Sequence, residues 1–372
     1  MTFLYLDHAA TSWPKPPEVL RAVAAWFTDC GVSAERGDSE RSAAVARRVR
    51  AIRAALASRC GVPSERLVFT SGATEAAHLL LRGLLGTGDR VVTTAIEPSA
   101  DVRTMVALRD ELGLELDVLP CDAGGVVDPD DVARACSRRT ARLLVVSQAS
   151  NVTGAIQDVA AMLGAARDGG ALVLVDASQA AGCLALDVGA DALFASAHKS
   201  LLGPPGLGFF AVAPTVELRQ SRFGGTGSST ALDAMPRAWP QAFEPGTPNT
   251  PAILGLGAAL DWLSTADGEA LAARQHRIVD AIAARLGAGS RALRPASRAQ
   301  RLPILSLLPE RLDPAEAGLL LDAAGIHVRS GFHCAPWIHA RLGSERSGTL
   351  RISPGPFVSE DAASRVVAAL DC

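Results

Sequence analysis

Lysine is nearly missing from this chain of 372 residues: of 36 Lys and Arg, only Lys15 and Lys199 are lysine. Arginine therefore serves wherever a plain cation is enough. A basic excess is missing too, and the net charge of -3 excludes the footprint of a nucleic-acid binder or a polybasic membrane surface. No apolar run reaches the roughly 18 residues that cross a bilayer. The opening MTFLYLDHAATSWPKPPE has no basic n-region and no apolar h-region, so no signal peptide is expected. The seven cysteines (Cys30, Cys60, Cys121, Cys136, Cys183, Cys334 and Cys372) are odd in number and never in CxxC spacing. That pattern excludes a disulfide framework or a zinc site and predicts reduced thiols in the cytoplasm. Internal repeats and low-complexity linkers are absent as well.

With 48% hydrophobic residues, the chain can bury a large core, and its length predicts one large and one smaller domain. Residues 44 to 59 place Val45, Val49, Ile52 and Leu56 on one helical face, stopped by Gly61. Continuous apolar strands are predicted at 66–70, 90–94, 114–119, 141–147, 171–175, 190–196 and 206–212, separated by helical patterns. Such alternation predicts an α/β fold with a mainly parallel sheet covered on both faces and a ligand at the carboxyl ends of its strands. From about residue 250 the rhythm changes to a long helical stretch. A sparser pattern follows, with ILSLL, a helix near 313–324, VRS, LRIS and a final helix from 358. The expected division is a large domain over 15–260 and a small α+β domain made of 1–14 and 261–372. Residues 224–251 are too polar and too rich in Gly and Pro for core structure, and a loop of that length usually carries function.

A chain that writes arginine for every routine cation needs its lysine for something else. An amine can lose its proton near neutral pH when desolvated, and a guanidinium cannot. The usual employment of such an amine is a Schiff base with a carbonyl substrate or with pyridoxal phosphate. Three strand ends support the second. In FTSGATEAAHLLL a strand turns into a helix whose first amides, at Gly72, Ala73 and Thr74, suit a phosphate group. In ALVLVDASQ a buried strand ends on Asp176, with Gln179 three residues on, and a buried carboxylate calls for a cationic partner such as a pyridinium nitrogen. In SAHKSLLGPPGLGFF, Ser196, His198 and Lys199 follow a strand. The glycines at 203, 206 and 208 do not form GxGxxG and lead into a strand, which argues against a dinucleotide site.

Seven ordered motifs then make a wider likeness visible: YLDHAATSWPKP, FTSGATEA, QASNVTGAIQ, LVDASQAAG, SAHKSLLGPPGLG, FEPGTPNTPAILGLGAAL and VRSGFHCAP. In these the chain resembles the class V aminotransferase superfamily and, within it, the cysteine desulfurase-like proteins. The resemblance implies a fold-type I pyridoxal-phosphate transferase with a seven-stranded type of sheet, working as a homodimer with active sites at the subunit interface. It makes Lys199 the Schiff-base lysine, Asp176 the partner of the ring nitrogen and Gln179 the donor to the ring hydroxyl. Ala73, Thr74, Ser196 and His198 would bind the phosphate, joined by Thr247 from the other subunit. Asn151 and Arg351 would hold the substrate carboxylate, and Cys334 would be the persulfide-forming catalytic cysteine, with His333 and Arg329 close in sequence. No metal is implied; an amino-acid substrate and a sulfur-acceptor protein are.

Two positions depart from the family pattern. Pro98 stands where a histidine usually stacks over the ring and moves protons, and Gln148 stands where a second histidine commonly precedes SNV. Proline cannot shuttle a proton. The expectation is therefore carbon-sulfur chemistry that runs faster on an S-substituted cysteine than on free cysteine. The alternatives are plain desulfuration through Cys334, or the amine transfer, decarboxylation and epimerisation that other relatives perform. A non-catalytic sulfur-relay protein is disfavoured, because it would not need Lys199, Asn151 and Arg351 together.

Overall fold

The computed structural model of the chain describes residues 3–34, 39–226, 233–286 and 289–370. The short strand β1 (Leu4–Tyr5) precedes seven longer ones: β2 (Leu67–Thr70), β3 (Arg90–Thr94), β4 (Glu115–Leu119), β5 (Leu143–Ser147), β6 (Leu172–Asp176), β7 (Ala192–Ser196) and β8 (Gly208–Val212). Those seven coincide with the seven expected runs and form one sheet in the order β2-β8-β7-β6-β5-β3-β4. Neighbours from β7 to β4 pair in parallel, while β8 runs antiparallel to both β7 and β2. The period of two explains the double covering. Val173 and Val175 of β6 belong to one core cluster and Leu174 to another, and Ala195 and Phe194 of β7 divide in the same way. Such strands read as unbroken apolar runs because neither face meets water.

The C-terminal part holds β9 (Ser290–Leu293), β10 (Leu305–Pro309), β11 (Ile326–His327), β12 (Arg329–Gly331) and β13 (Thr349–Ile352). Four of these make an antiparallel sheet in the order β12-β13-β10-β9, while β11 pairs in parallel with β1. Leu4 and Leu6 thus enter a core shared with Ile278, Ile282, Leu305 and Leu350. The helix expected over 44–59 spans Glu40–Arg59, because Ser39 accepts a bond from the Ser42 amide and caps it earlier than the apolar stripe begins. The last helix starts at Ala362, four residues after the expected 358. Of the polar stretch 224–251, residues 227–232 lie outside the described residues; within the rest, a 3-10 turn at Gln241–Phe243 precedes helix Thr250–Thr265. The Arg53–Glu244 ion pair ties this stretch to β2, since Glu244 also accepts the Phe69 amide.

Candidate active site

The strand register brings the expected residues to one edge. Asp176 ends β6 opposite Ser147 of β5, while Ser196 ends β7 opposite Gly208, which also pairs with Thr70. A side chain at Gly208 would not fit: its Cβ would stand 2.5 Å from the Gly72 carbonyl carbon. Glycine there lets the start of helix Ala73–Leu84 approach the sheet edge. No side chain caps that helix start, so its first amides stay available for an anion.

At this edge lies a cavity of about 400 Å³. Ala73, Thr74, Asn151, Asp176, Ser196, His198, Lys199, Cys334 and Arg351 all line it, together with Pro98, Arg103 and Arg329. Gln179 does not, nor does Thr247, which was expected to reach the site of the other subunit. Gln179 turns its Nε2 to the Ala9 carbonyl at 3.0 Å, and exposed Thr247 lines a separate pocket of about 280 Å³ with Ser33, Glu75 and Arg222. Gln148 is also off the cavity wall; it donates to the Ala185 carbonyl at 2.9 Å, so its departure from the family pattern touches packing.

The electrostatics suit a phosphorylated, nitrogen-containing ring. Asp176 is buried, and Oδ1 accepts the Ser178 amide at 2.7 Å. Burial raises its carboxyl above the usual range while Lys199 opposes the rise. In turn, burial lowers the Lys199 amine; Asp176 resists and the Arg351 cation adds to the lowering. His198 is held neutral, down to about 4, by burial and by Lys199 and Lys15, and its Nδ1 lies 3.0 Å from the Thr11 hydroxyl. An uncapped helix start, a neutral imidazole, an accessible hydroxyl and a carboxylate lacking a permanent cation form a donor set that fits pyridoxal phosphate.

Sequence reasoning missed how Arg351 is held. It is 1% exposed, and Nη2 pairs with Asp7 Oδ1 at 2.6 Å while Nη1 donates to the Asn151 carbonyl at 2.9 Å. Its Nε is buried without a hydrogen-bond partner, a donor that suits a substrate carboxylate, and the acceptor Oδ1 of Asn151 is also buried and unpartnered. Arg329 of β12 sits directly opposite Arg351 of β13. Like charges in that position destabilise a sheet unless an anion lies between or beside them. Asp7 beside Arg351 is such an anion, and Arg329 Nη2 lies 3.2 Å from Cys334 Sγ. His333 and Cys334 both take left-handed backbone conformations, φ 49° and 57°, a strain that sets the thiol on the cavity wall. Lys15 donates to Ser12 Oγ at 2.7 Å and to the His198 carbonyl at 3.4 Å. Both lysines of the chain therefore converge on one loop.

Behind the cavity, Glu97 and Asp101 are fully buried. Burial, against hydrogen bonds from Thr94 and Ser147, moves Glu97 up to about 7, and it holds Asp101 well above the carboxylate range, with Asp176 and Glu97 adding. Neither oxygen of Asp101 has a hydrogen-bond partner. Raised folded-state values mean that stability is present at low pH and is lost as pH rises, for Glu97 between about 4.5 and about 7. Asp101→Asn cannot ionise, so its melting temperature should fall less than that of the wild type between about pH 5 and about pH 8. Equal falls in thermal scans of the two apo proteins would show that Asp101 is already ionised in the folded protein over that range.

The chain is similar to several known proteins along most of its length. The probable cysteine desulfurase of Pseudomonas putida is 35% identical, over 99% of this chain and 92% of its own. That of Methanothermobacter thermautotrophicus is 33% identical over 94% of this chain and 89% of its own. The apo structure of a cysteine desulfurase from Thermococcus onnurineus superposes with a TM-score of 0.91 at 27% identity, covering 99% of this chain and 94% of that one. The aminotransferase class-V model matches residues 4–366. With that match spanning nearly its whole length, the chain belongs to the class V aminotransferase family and is a pyridoxal-phosphate enzyme of cysteine desulfurase-like type.

Proposed function

We propose that this enzyme cleaves the carbon-sulfur bond of L-cysteine or of an S-substituted cysteine, with Cys334 as the sulfur acceptor for the free amino acid. The Cys334 thiol carries this reading, because it lines the same cavity as Lys199 and Arg351 and faces the Arg329 guanidinium. The thiolate is the nucleophilic form of a cysteine. The printed names of the relatives, probable cysteine desulfurases, support the same chemistry.

Pyridoxal phosphate supplies, when bound, an aldehyde and a ring that withdraws electrons from the substrate. Lys199 would hold the aldehyde carbon, Asp176 the ring nitrogen, and Ala73, Thr74, Ser196 and His198 the phosphate. Asn151 and Arg351 would fix the substrate carboxylate. With its amine lowered by burial, Lys199 is the base placed to take the substrate α-proton. In desulfuration, Cys334 sulfur bonds to the substrate sulfur as the substrate carbon-sulfur bond breaks. The electron pair stays with carbon, which gains a proton, leaving alanine and a Cys334 persulfide.

Pro98 favours a second route on S-substituted cysteines. Here the electron pair departs with the sulfur group, and water converts the remainder to pyruvate and ammonia. A conjugated thiolate leaves without proton handling over the ring, where Pro98 offers none. Alanine and pyruvate measured from free cysteine and from S-substituted cysteines test the reading. Neither product from any of these substrates would overturn it.

Thr247 supports a shared active site. In its own subunit it lies in a pocket apart from Lys199, so its expected phosphate contact would be made to a second copy. A closed symmetric dimer is the expected active unit. Light scattering that finds a fully active monomer would contradict this.

A further inference from the structure

A second cavity, of about 580 Å³, opens behind the active site. Leu184, Leu201, Trp262, Leu263 and Leu302 give it an apolar wall. One chain thickness separates it from the catalytic cavity. Ser200 to Leu202 face it directly after Lys199, and His8 faces it between Asp7 and Ala9. Gly182 seals the partition, since a Cβ there would stand 2.2 Å from the Ser200 carbonyl oxygen.

One wall carries unbalanced charge. Arg294, Arg298 and Arg301 share the single carboxylate of Asp280, at 2.5, 2.5 and 2.8 Å. Arg298 and Arg301 line the cavity. Arg301 has a side chain 4% exposed, and its Nε is buried with no hydrogen-bond partner, as is Nδ1 of the neighbouring His276. Burial, and next Arg301, lower the His276 imidazole, as a positive potential there requires. Arg59 and Asp187 also line the cavity. A guanidinium cluster beside a broad apolar wall matches one kind of molecule: an apolar body with a single acidic group.

We propose that this cavity is a binding site for an amphipathic anion, its acidic group on Arg298 and Arg301 and its apolar part against Trp262, Leu263 and Leu302. The assignment stands independently of which sulfur substrate the enzyme uses. Octanoate is the probe, titrated calorimetrically into the holoenzyme, with 1-octanol and octylammonium as matched controls. Saturable octanoate binding is expected, with both controls about tenfold weaker or more. Arg298→Glu, at a side chain 55% exposed, should weaken octanoate about tenfold and leave the cofactor's visible absorbance unchanged. Ala272→Trp should fill the cavity and abolish binding without using the charge. Failure of octanoate to saturate, equal binding of octanol, or binding indifferent to both substitutions would each overturn the site.

Discussion

Lys199→Ala is expected to abolish the borohydride-reducible adduct with pyridoxal phosphate and to lower turnover by roughly 10²–10⁴-fold, the range for losing a positioned acid-base group. Two functions leave with one amine. Covalent attachment of the aldehyde needs a nitrogen that can shed its proton, and α-proton removal needs a base near the substrate. The 34 arginines offer neither, because the guanidinium stays protonated. Lys15 is the internal control. Its amine is also lowered, to about 8, by burial, and it touches the His198 carbonyl, yet it is off the wall of the catalytic cavity. Lys15→Gln should therefore keep the adduct. Peptide mapping after reduction distinguishes the two lysines without ambiguity, and an adduct on Lys15 in the wild type would reverse the assignment.

Cys334→Ser should remove alanine formation from free cysteine entirely while leaving pyruvate formation from an S-substituted cysteine within a few-fold of the wild type. The first result follows because a serine hydroxyl does not accept the substrate sulfur to form a persulfide, whereas a cysteine sulfur does. The second follows because elimination uses Lys199 and a departing sulfur group and makes no bond to Cys334. Pro98→His tests the other half of the argument. A ring restored at this position, on the wall of the cavity, should raise alanine formation from free cysteine more than it raises elimination. Robust alanine from the wild type, lost in Cys334→Ser and unchanged in Pro98→His, would refute the preference for S-substituted substrates and leave plain desulfuration.

Some of this molecule could be read without folding it. The strands of the main sheet other than β4 were legible because both of their faces are buried, which leaves continuous apolar runs such as LVLV before Asp176; β4 keeps Glu115 and Val118 exposed. Lys199 was legible because a composition that shuns lysine makes one amine conspicuous, and Asp176 and the Ala73–Thr74 turn because strand ends mark a ligand edge in a parallel sheet. Helix bounds were less so, since Ser39 begins its helix through a cap and not through the apolar stripe.

Other features needed the crossovers. Asp7 meets Arg351 across 344 positions of chain, Lys15 meets His198 across 183, and Asn151 Nδ2 meets the His333 carbonyl across 182. No local period encodes such pairs, because each arises only when segments far apart in the chain pack against one another. The facing of Arg329 and Arg351 depends on an antiparallel register, and a shift by one residue would turn either arginine to the opposite face. Gln179 carried the expected residue type in the expected motif, yet its side chain points to Ala9, and Gln148, a departure from the motif, points to Ala185. Chemistry was thus written in the kinds of residues and their order, while which of them share a cavity, and which charges remain unbalanced within it, was decided by packing that brings distant segments within hydrogen-bond reach.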